Sequence, residues 1–164
     1  MRRWISKCNN DLVCLFSKGN NLSVAADDAY VLYLDGKQVS SGNSTVKQVP
    51  LSNLVGVVAI QGNNSNNDTV AGIIASDSVG LLSTNSSWRC NNAYVNGWMN
   101  VGFDDSVWPF AYAEARLKGG PLTAYQSSEL SGNAYWIWTN NFDDHGYPND
   151  ANVYCRTELG KNPL

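Results

Sequence analysis

The chain has 164 residues, of which 43% are hydrophobic and 11% aromatic, which is enough for one packed domain and excludes general disorder. Charged residues make up only 15%, whereas Asn, Ser and Gly number 21, 17 and 14, a composition that favours turns and strands over long helices. The net charge is −3, with no basic cluster beyond Arg2 and Arg3, so a nucleic-acid partner is not expected.

Residues 1–18 are predicted to form an N-terminal arm, followed by a single domain over residues 19–164. The arm has apolar patches too short to build a core, so we expect it to dock on its own domain or on the sheet edge of a neighbouring copy. Its basic residues are not followed by an uninterrupted apolar region, unlike those of a signal peptide. No apolar run approaches the roughly 20 residues of a membrane span.

Short apolar runs separated by Gly, Ser and Asn clusters predict about nine or ten strands. The run Ala29 to Leu34 ends at Asp35-Gly36, a dipeptide typical of tight hairpins, so residues 37–41 are expected to return as the partner strand. The run Leu54 to Ile60 lacks polar alternation, which indicates a central strand buried on both faces. Further candidate strands are residues 46–50, 70–76, 80–83, 87–90, 111–115, 134–139 and 151–157.

This pattern predicts an all-β fold, a two-sheet antiparallel jelly-roll sandwich with an N-terminal arm. The polar stretch 61–68 is expected to be an exposed loop. The one helical candidate is Pro109 to Lys118, where Pro109 suits a first helical turn. No repeat of 20 to 50 residues is visible, which disfavours a propeller or a solenoid.

Three segments of the chain share the pattern of a known β-sandwich. They are VAADDAYVLYLDG (24–36), WMNVGFDDSVWPFA (98–111), and the terminal pair YWIW (135–138) with VYCR (153–156). In this order they resemble the galactose-binding-domain-like jelly roll, a module of many glycoside hydrolases and extracellular lectins, over roughly residues 20–158. The resemblance implies that most of the tryptophans pack in the core, and we expect Phe103 and Trp108 to plug one end of the sandwich.

Many relatives of this family carry a structural calcium, and hard cations take clusters of carboxylate oxygens. The resemblance therefore offers a calcium site as an alternative to the expectation of no cofactor. The simpler interpretation is that the aspartates concerned stabilise turns, because the chain has no D-x-D-x-D loop. The aspartates that could hold the calcium are Asp27, Asp28, Asp104 and Asp105.

Four cysteines without metal-ligand spacing predict disulfides, and three connectivities are open. We favour Cys90 with Cys155, which would tie the middle of the chain to its last strand, and Cys8 with Cys14 in the arm. Free thiols are the alternative for an intracellular protein.

The predicted bridges and five glycosylation sequons together indicate a secreted glycoprotein. An Asn- and Ser-rich chain also produces sequons by chance, which is the alternative. The sequons begin at Asn21, Asn43, Asn63, Asn67 and Asn85.

Motifs for catalysis are missing from the sequence. There is a single histidine, no Gly-x-Ser-x-Gly elbow, no His-Glu-x-x-His pair and no phosphate-cradling loop. Asp143 and Asp144 are adjacent, so they do not suit a glycosidase pair that must flank a sugar across a gap. We predict that the protein is not an enzyme.

Sugar binding needs an exposed aromatic ring beside Asp, Asn or Arg side chains on rigid loops. The stretches Trp88 to Tyr94 and Asn140 to Asp150 offer those residue types. The candidate ligand-binding residues in them are Arg89, Asn91, Asp143, Asp144, His145 and Tyr147.

Two functions are therefore compatible with the sequence. The first, slightly favoured, is a structural protomer of an extracellular matrix or filament assembly, a homo-oligomer that joins copies of itself through the arm. The alternative is a carbohydrate-binding, lectin-like module that binds glycans, an accessory domain of a larger glycoside hydrolase among the forms it could take.

Overall fold

The computed structural model describes residues 20–51, 55–65, 70–116 and 127–159. The described residues form strands, turns and irregular segments and no helix, so none of them makes a helix that could cross a membrane. The predicted arm, Cys8, Cys14 and Asn67 lie outside the described residues. The strands are β1 (Asn20–Asp27), β2 (Ala29–Leu34), β3 (Lys37–Asn43), β4 (Lys47–Leu51), β5 (Val57–Asn63), β6 (Gly72–Asp77), β7 (Arg89–Asn91), β8 (Tyr112–Arg116), β9 (Tyr135–Trp138) and β10 (Asn152–Glu158).

These strands form two antiparallel five-stranded sheets that share one apolar core. Sheet 1 has the order β4-β1-β6-β9-β8, and sheet 2 has the order β3-β2-β5-β10-β7. Strands β2 and β10 belong to sheet 2 and β9 to sheet 1, so the first of the three segments singled out in the sequence and both parts of the terminal pair contribute to the same core. The predicted all-β, two-sheet antiparallel sandwich is confirmed.

The predicted hairpin is confirmed as the pair β2–β3. Asp35 and Gly36 have φ angles of 48° and 83°, the left-handed conformations that a tight type I′ turn requires at both central positions. The strands pair from Ala29 with Asn43 to Leu34 with Lys37.

Replacement of Gly36 by alanine is expected to lower the free energy of unfolding by about 2 kcal/mol, because the new Cβ strains the left-handed backbone and overlaps the side-chain oxygen of Asn100. Gly102→Ala, with a φ of 78° and open space around it, separates the two effects and should cost about 1 kcal/mol. Gly132→Ala serves as the neutral control in urea unfolding, because Gly132 has neither a left-handed φ angle nor an atom close to the new Cβ. Equal values for all three variants would contradict this account.

Both faces of β5 are buried, as its unbroken apolar run predicts. Val58 and Ile60 point into the core between the sheets, whereas Val57 and Ala59 point to the outer face of sheet 2. Because β5 pairs with β2 on one side and β10 on the other, it is also the central strand of its sheet. The lack of alternating polar residues in this strand therefore indicates that both of its faces are buried.

An aromatic segment covers that outer face. Trp98, Phe103 and Trp108 pack on Val57, Ala59 and Tyr154, with the rings of Trp98 and Trp108 stacked 6.3 Å apart. The expectation that Phe103 and Trp108 plug an end of the sandwich is wrong: they close a sheet face, because β5 and β10 present apolar side chains there that need a cover. The five tryptophans among the described residues are all buried, as predicted.

Arg156 holds this segment in place from β10. Its guanidinium is fully buried, forms an ion pair with Asp105, and donates hydrogen bonds to the carbonyl oxygens of Phe103 and Asn100, both at 3.2 Å. A buried arginine is tolerated only when its donors find such acceptors. The ion pair therefore fixes the turn before Trp108 onto the sheet.

Three local predictions fail. The stretch 61–68 is not an exposed loop from its start, because Gln61, Gly62 and Asn63 continue strand β5 and Asn64 is buried. The helical candidate Pro109 to Lys118 contains strand β8, which pairs with β9, so sheet pairing outweighs the helix propensity of its alanines. Residues 80–83 do not form a strand; the carboxylate of Asp77 accepts hydrogen bonds from the N–H groups of residues 80, 81 and 82 at 2.7 to 3.1 Å and folds them into a turn.

The predicted disulfide between Cys90 and Cys155 is present. The two cysteines are directly opposite each other in the β7–β10 pair, and both are fully buried. This bond links the short edge strand β7 covalently to β10. It therefore also holds the loop that follows β7 close to the loop that precedes β10.

Candidate ligand-binding pocket

A pocket of about 270 Å³ lies beside edge strand β7. Its walls come from the two stretches that the sequence singled out, the end of β7 on one side and the segment between β9 and β10 on the other. The antiparallel register of Cys90 with Cys155 brings these stretches together, because the chain leaving β7 runs toward the residues that enter β10. The lining residues are Cys90, Asn91, Asn92, Pro109, Thr139, Asn140, Asn141 and Asp150.

The carboxylate of Asp150 organises the pocket. Its side chain is only 9% exposed, and one oxygen accepts hydrogen bonds from the amide nitrogens of Asn141 at 2.7 Å and Asn92 at 2.9 Å. The hydroxyl of Thr139 donates to the other oxygen. A single buried acceptor group thus orients three neutral side chains from both walls of the pocket.

Two further amides remain for a ligand. Asn140 is exposed, and its side chain forms no hydrogen bond with the part of the chain that the structure describes. Asn91 is half-buried, and its oxygen is engaged only in a long 3.4 Å contact with the N–H of Ala93. Because an amide carries both a donor and an acceptor, each suits the hydroxyl groups of a polyol.

Aromatic residues follow two of the lining residues in the chain. Phe110 follows Pro109 and is 58% exposed, and Phe142 follows Asn141. Tyr112, 40% exposed, packs edge-on against Phe142 with ring centroids 4.8 Å apart. Exposed aromatic rings together with amide groups are the residue types that sugar recognition uses.

The two predicted residues of the stretch Trp88 to Tyr94, Arg89 and Asn91, have different roles. Asn91 lines the pocket, as described above. Arg89 instead donates a 2.8 Å hydrogen bond to the carbonyl oxygen of Trp108 and lies 3.6 Å above the ring of Phe110. Arg89 therefore supports the wall and the exposed ring and does not line the pocket itself.

The predicted residues of the second stretch form a turn outside the lining. The carboxylate of Asp143 accepts the N–H groups of His145 at 2.8 Å and Tyr147 at 2.9 Å. The hydrogen bond from Tyr147 lowers the pKa of Asp143, with a further lowering from His145, against a smaller opposing effect of desolvation. Asp144 is exposed in the same turn, and the rings of His145 and Tyr147 stack 6.2 Å apart.

Sequence reasoning identified both stretches but missed the residues that organise them. Asp150, Asn92 and Thr139 carried no motif, and the available signal was only the position of Asp150 directly before the last strand. Their contacts join residues 58 positions apart, as for Asn92 and Asp150, and no local pattern encodes such a distance.

The first pair of candidate calcium ligands, Asp27 and Asp28, contacts neighbours within the fold. Asp28 accepts hydrogen bonds from the N–H and hydroxyl of Ser65, at 2.9 and 2.8 Å. Burial raises the pKa of Glu114, and the charge of Asp27 raises it further, so these two carboxylates repel.

The second pair, Asp104 and Asp105, has other partners. Asp105 is bound to Arg156, and Asp104 accepts the N–H of Ser106 at 3.0 Å within a turn. Among the described residues no three His, Cys, Asp or Glu side chains form a group that could hold a metal ion. Asp104 thus stabilises a turn, Asp28 accepts hydrogen bonds from Ser65 and Asp105 forms an ion pair, and the calcium alternative stays a prediction.

The sequons differ in how accessible their asparagines are. Asn43 is exposed at the end of β3. Asn63 and Asn85 are half-buried and donate their amide hydrogens to main-chain carbonyls at 3.3 and 3.0 Å, and Asn21 is half-buried on β1. Glycosylation stays a prediction, for which Asn43 is the most open of the described positions.

Comparison with known proteins returns no match: no family model, no curated protein and no solved structure is similar to this chain.

Proposed function

We propose that this protein is a non-catalytic carbohydrate-binding module that holds a sugar in the pocket between the end of β7 and the segment before β10. The observation that carries the proposal is the ordered set of amide and hydroxyl groups around Asp150. The resemblance of three segments to the galactose-binding-domain-like sandwich supports the same function.

Recognition follows from the chemistry of the lining. Vicinal hydroxyls of a pyranose both donate and accept, so the amides of Asn91 and Asn140 can each pair with two of them. The rings of Phe110 and Tyr112 offer a surface for the apolar face of the sugar. Since Asp150 already positions Asn92 and Asn141, these two side chains of the walls lose little entropy when the ligand binds.

This proposal reverses the preference that the sequence alone suggested. An assembly protomer depends on the arm, which lies outside the described residues, whereas the pocket is built from both stretches that were predicted to bind sugars. We further propose that the protein acts in a secreted, extracellular setting, because structural disulfides such as Cys90–Cys155 form and persist in oxidising compartments.

A glycan array followed by calorimetric titration of the best ligand tests the function. We expect saturable binding by the unmodified protein, weakened about tenfold by Asn140→Ala and by Phe110→Ala, because each change removes one hydrogen-bonding group or one stacking surface worth ~1 kcal/mol or slightly more. Both side chains are exposed, so the fold should be retained.

Asn133→Ala is the matched control, since Asn133 is an exposed asparagine in a turn outside the pocket lining. Its affinity should equal that of the unmodified protein. Failure of every glycan to bind, or binding that both pocket variants leave unchanged, would overturn the proposed function.

A further inference from the structure

The lining of the pocket carries one charged group. Asp150 is the acid, and the other lining residues, four asparagines, a threonine, a proline and a disulfide-bonded cysteine, are neutral. The hydrogen bonds that Asp150 accepts come from Asn92, Asn141 and Thr139, so the charge is solvated by dipoles without a cation. A carboxylate that is nine-tenths buried in this way leaves a negative potential in the pocket.

The nearby bases are engaged elsewhere. Arg89, the one arginine in the two wall stretches, donates to the carbonyl of Trp108 and stacks on Phe110. His145 is exposed, with a nitrogen 3.7 Å from the carboxylate of Asp143. The wall stretches also contain Asp143 and Asp144, so the surroundings add further negative charge to that of Asp150.

Asp150 has hydrogen-bonding capacity left. One carboxylate oxygen accepts two hydrogen bonds, from Asn92 and Asn141, but the other accepts only that of Thr139. A carboxylate has about four acceptor positions, so one is open to a donor on a ligand. A protonated amine is the donor that gains most there, because its bond to an ionised acceptor is charge-assisted.

From this charge distribution we infer that the pocket selects an amino sugar, a pyranose with a free protonated amine among its hydroxyls, and rejects sugars that carry a carboxylate. The inference rests on the proposed carbohydrate-binding function and specifies its ligand class. The ammonium replaces the missing counter-charge of Asp150, whereas a uronic acid would place two carboxylates side by side in a pocket without a cation.

The test compares four tetrasaccharides by calorimetric titration at pH 6, with the unmodified protein: β-1,4-linked glucosamine, its N-acetylated form, β-1,4-linked glucose and α-1,4-linked galacturonate. We expect the glucosamine oligomer to bind about tenfold more tightly than the two neutral ones, the equivalent of one charge-assisted hydrogen bond. Galacturonate should bind at least about tenfold more weakly than the neutral sugars.

Two variants locate the selectivity. Asp150→Asn should abolish the preference for the amine, whatever its effect on the affinity for the neutral sugars, so the readout is the ratio of the two affinities. Glu129→Gln removes one negative charge at an exposed position outside the pocket lining, and should keep the preference, which controls for attraction to the net charge of −3. Spermidine, an amine without a sugar ring, should bind more weakly than the glucosamine oligomer.

The outcomes separate the two proposals. Neutral and amino sugars binding equally, galacturonate binding best, or a preference that survives Asp150→Asn would overturn the inference and leave the sugar-binding function standing. Spermidine binding as tightly as glucosamine would overturn the sugar part of the inference. If none of the four oligomers bound but another glycan on the array did, only the inference would be overturned; if no glycan at all bound, both would be. The ranking by the unmodified protein decides the matter even where Asp150→Asn does not fold.

Discussion

Joint replacement of Cys90 and Cys155 by alanine is expected to lower the free energy of unfolding by about 4 kcal/mol, one of the two largest effects of any change considered for this protein. The disulfide closes a loop with a sequence separation of 65 residues, and the loss of unfolded-state entropy on closing a loop of that length is of this size. Chemical denaturation of the double variant and of the unmodified protein, monitored by tryptophan fluorescence, measures the difference.

The same variant should weaken sugar binding. Strand β7 has three residues and pairs in its sheet only with β10, so the covalent bond is a major constraint on its position. Without it, Asn91 and Asn92 lose their fixed distance from Asp150, and the pocket has to be ordered on binding. A substitution is preferable to a reductant, which would act on every cysteine of the chain. If the free energy of unfolding fell by less than about 1 kcal/mol, the cross-link would not restrict the unfolded chain as this account requires.

Asp105→Ala should cost about 3 kcal/mol, because it leaves the buried guanidinium of Arg156 without its closest carboxylate. Glu158, at 3.5 Å from the guanidinium, compensates only in part. The segment that carries Trp98 and Trp108 is held by this ion pair, so their fluorescence should shift at denaturant concentrations below the main transition.

Two further variants make the ion-pair prediction specific. Asp104→Asn, next in the chain, keeps the acceptor for the N–H of Ser106 and should be nearly neutral. Adding Arg156→Met to Asp105→Ala should recover part of the lost stability, because the buried charge is removed with its partner. If the double variant were less stable than Asp105→Ala alone, the main role of Arg156 would be its hydrogen bonds to the carbonyls of Phe103 and Asn100.

Two predictions succeeded because they depend only on neighbouring residues. The hairpin turn is encoded by Asp35 and Gly36, which accept positive φ angles. The buried strand Val57–Asn63 is encoded by the unbroken apolar run with which it begins. Both need only local sequence, since turn geometry and side-chain alternation repeat over two to seven residues. The general fold class follows from adding such elements along the chain.

Predictions that depended on position in space were less accurate. Phe103 and Trp108 were correctly expected to be buried, but their partners are on the outer face of sheet 2 and not at an end of the sandwich. Likewise, residues 109–118 have the composition of a short helix, yet Tyr112–Arg116 form a strand because β9 offers an edge to pair with. The composition of a segment indicates that its side chains need burial or that its backbone needs a pairing partner. It does not specify which surface or strand edge of the protein provides that contact.

The sequence by itself determined the all-β class, the hairpin, the central strand that is buried on both faces, and the two stretches rich in sugar-binding residue types. Only the tertiary structure decided which residues in those stretches meet. Asn92, Asn141 and Asp150 form one site because the register of β7 against β10, held by a bond between Cys90 and Cys155, brings the two ends together. Hydrogen bonds act over about 3 Å of space regardless of separation along the chain, so such a site becomes visible only once the sheets are assembled.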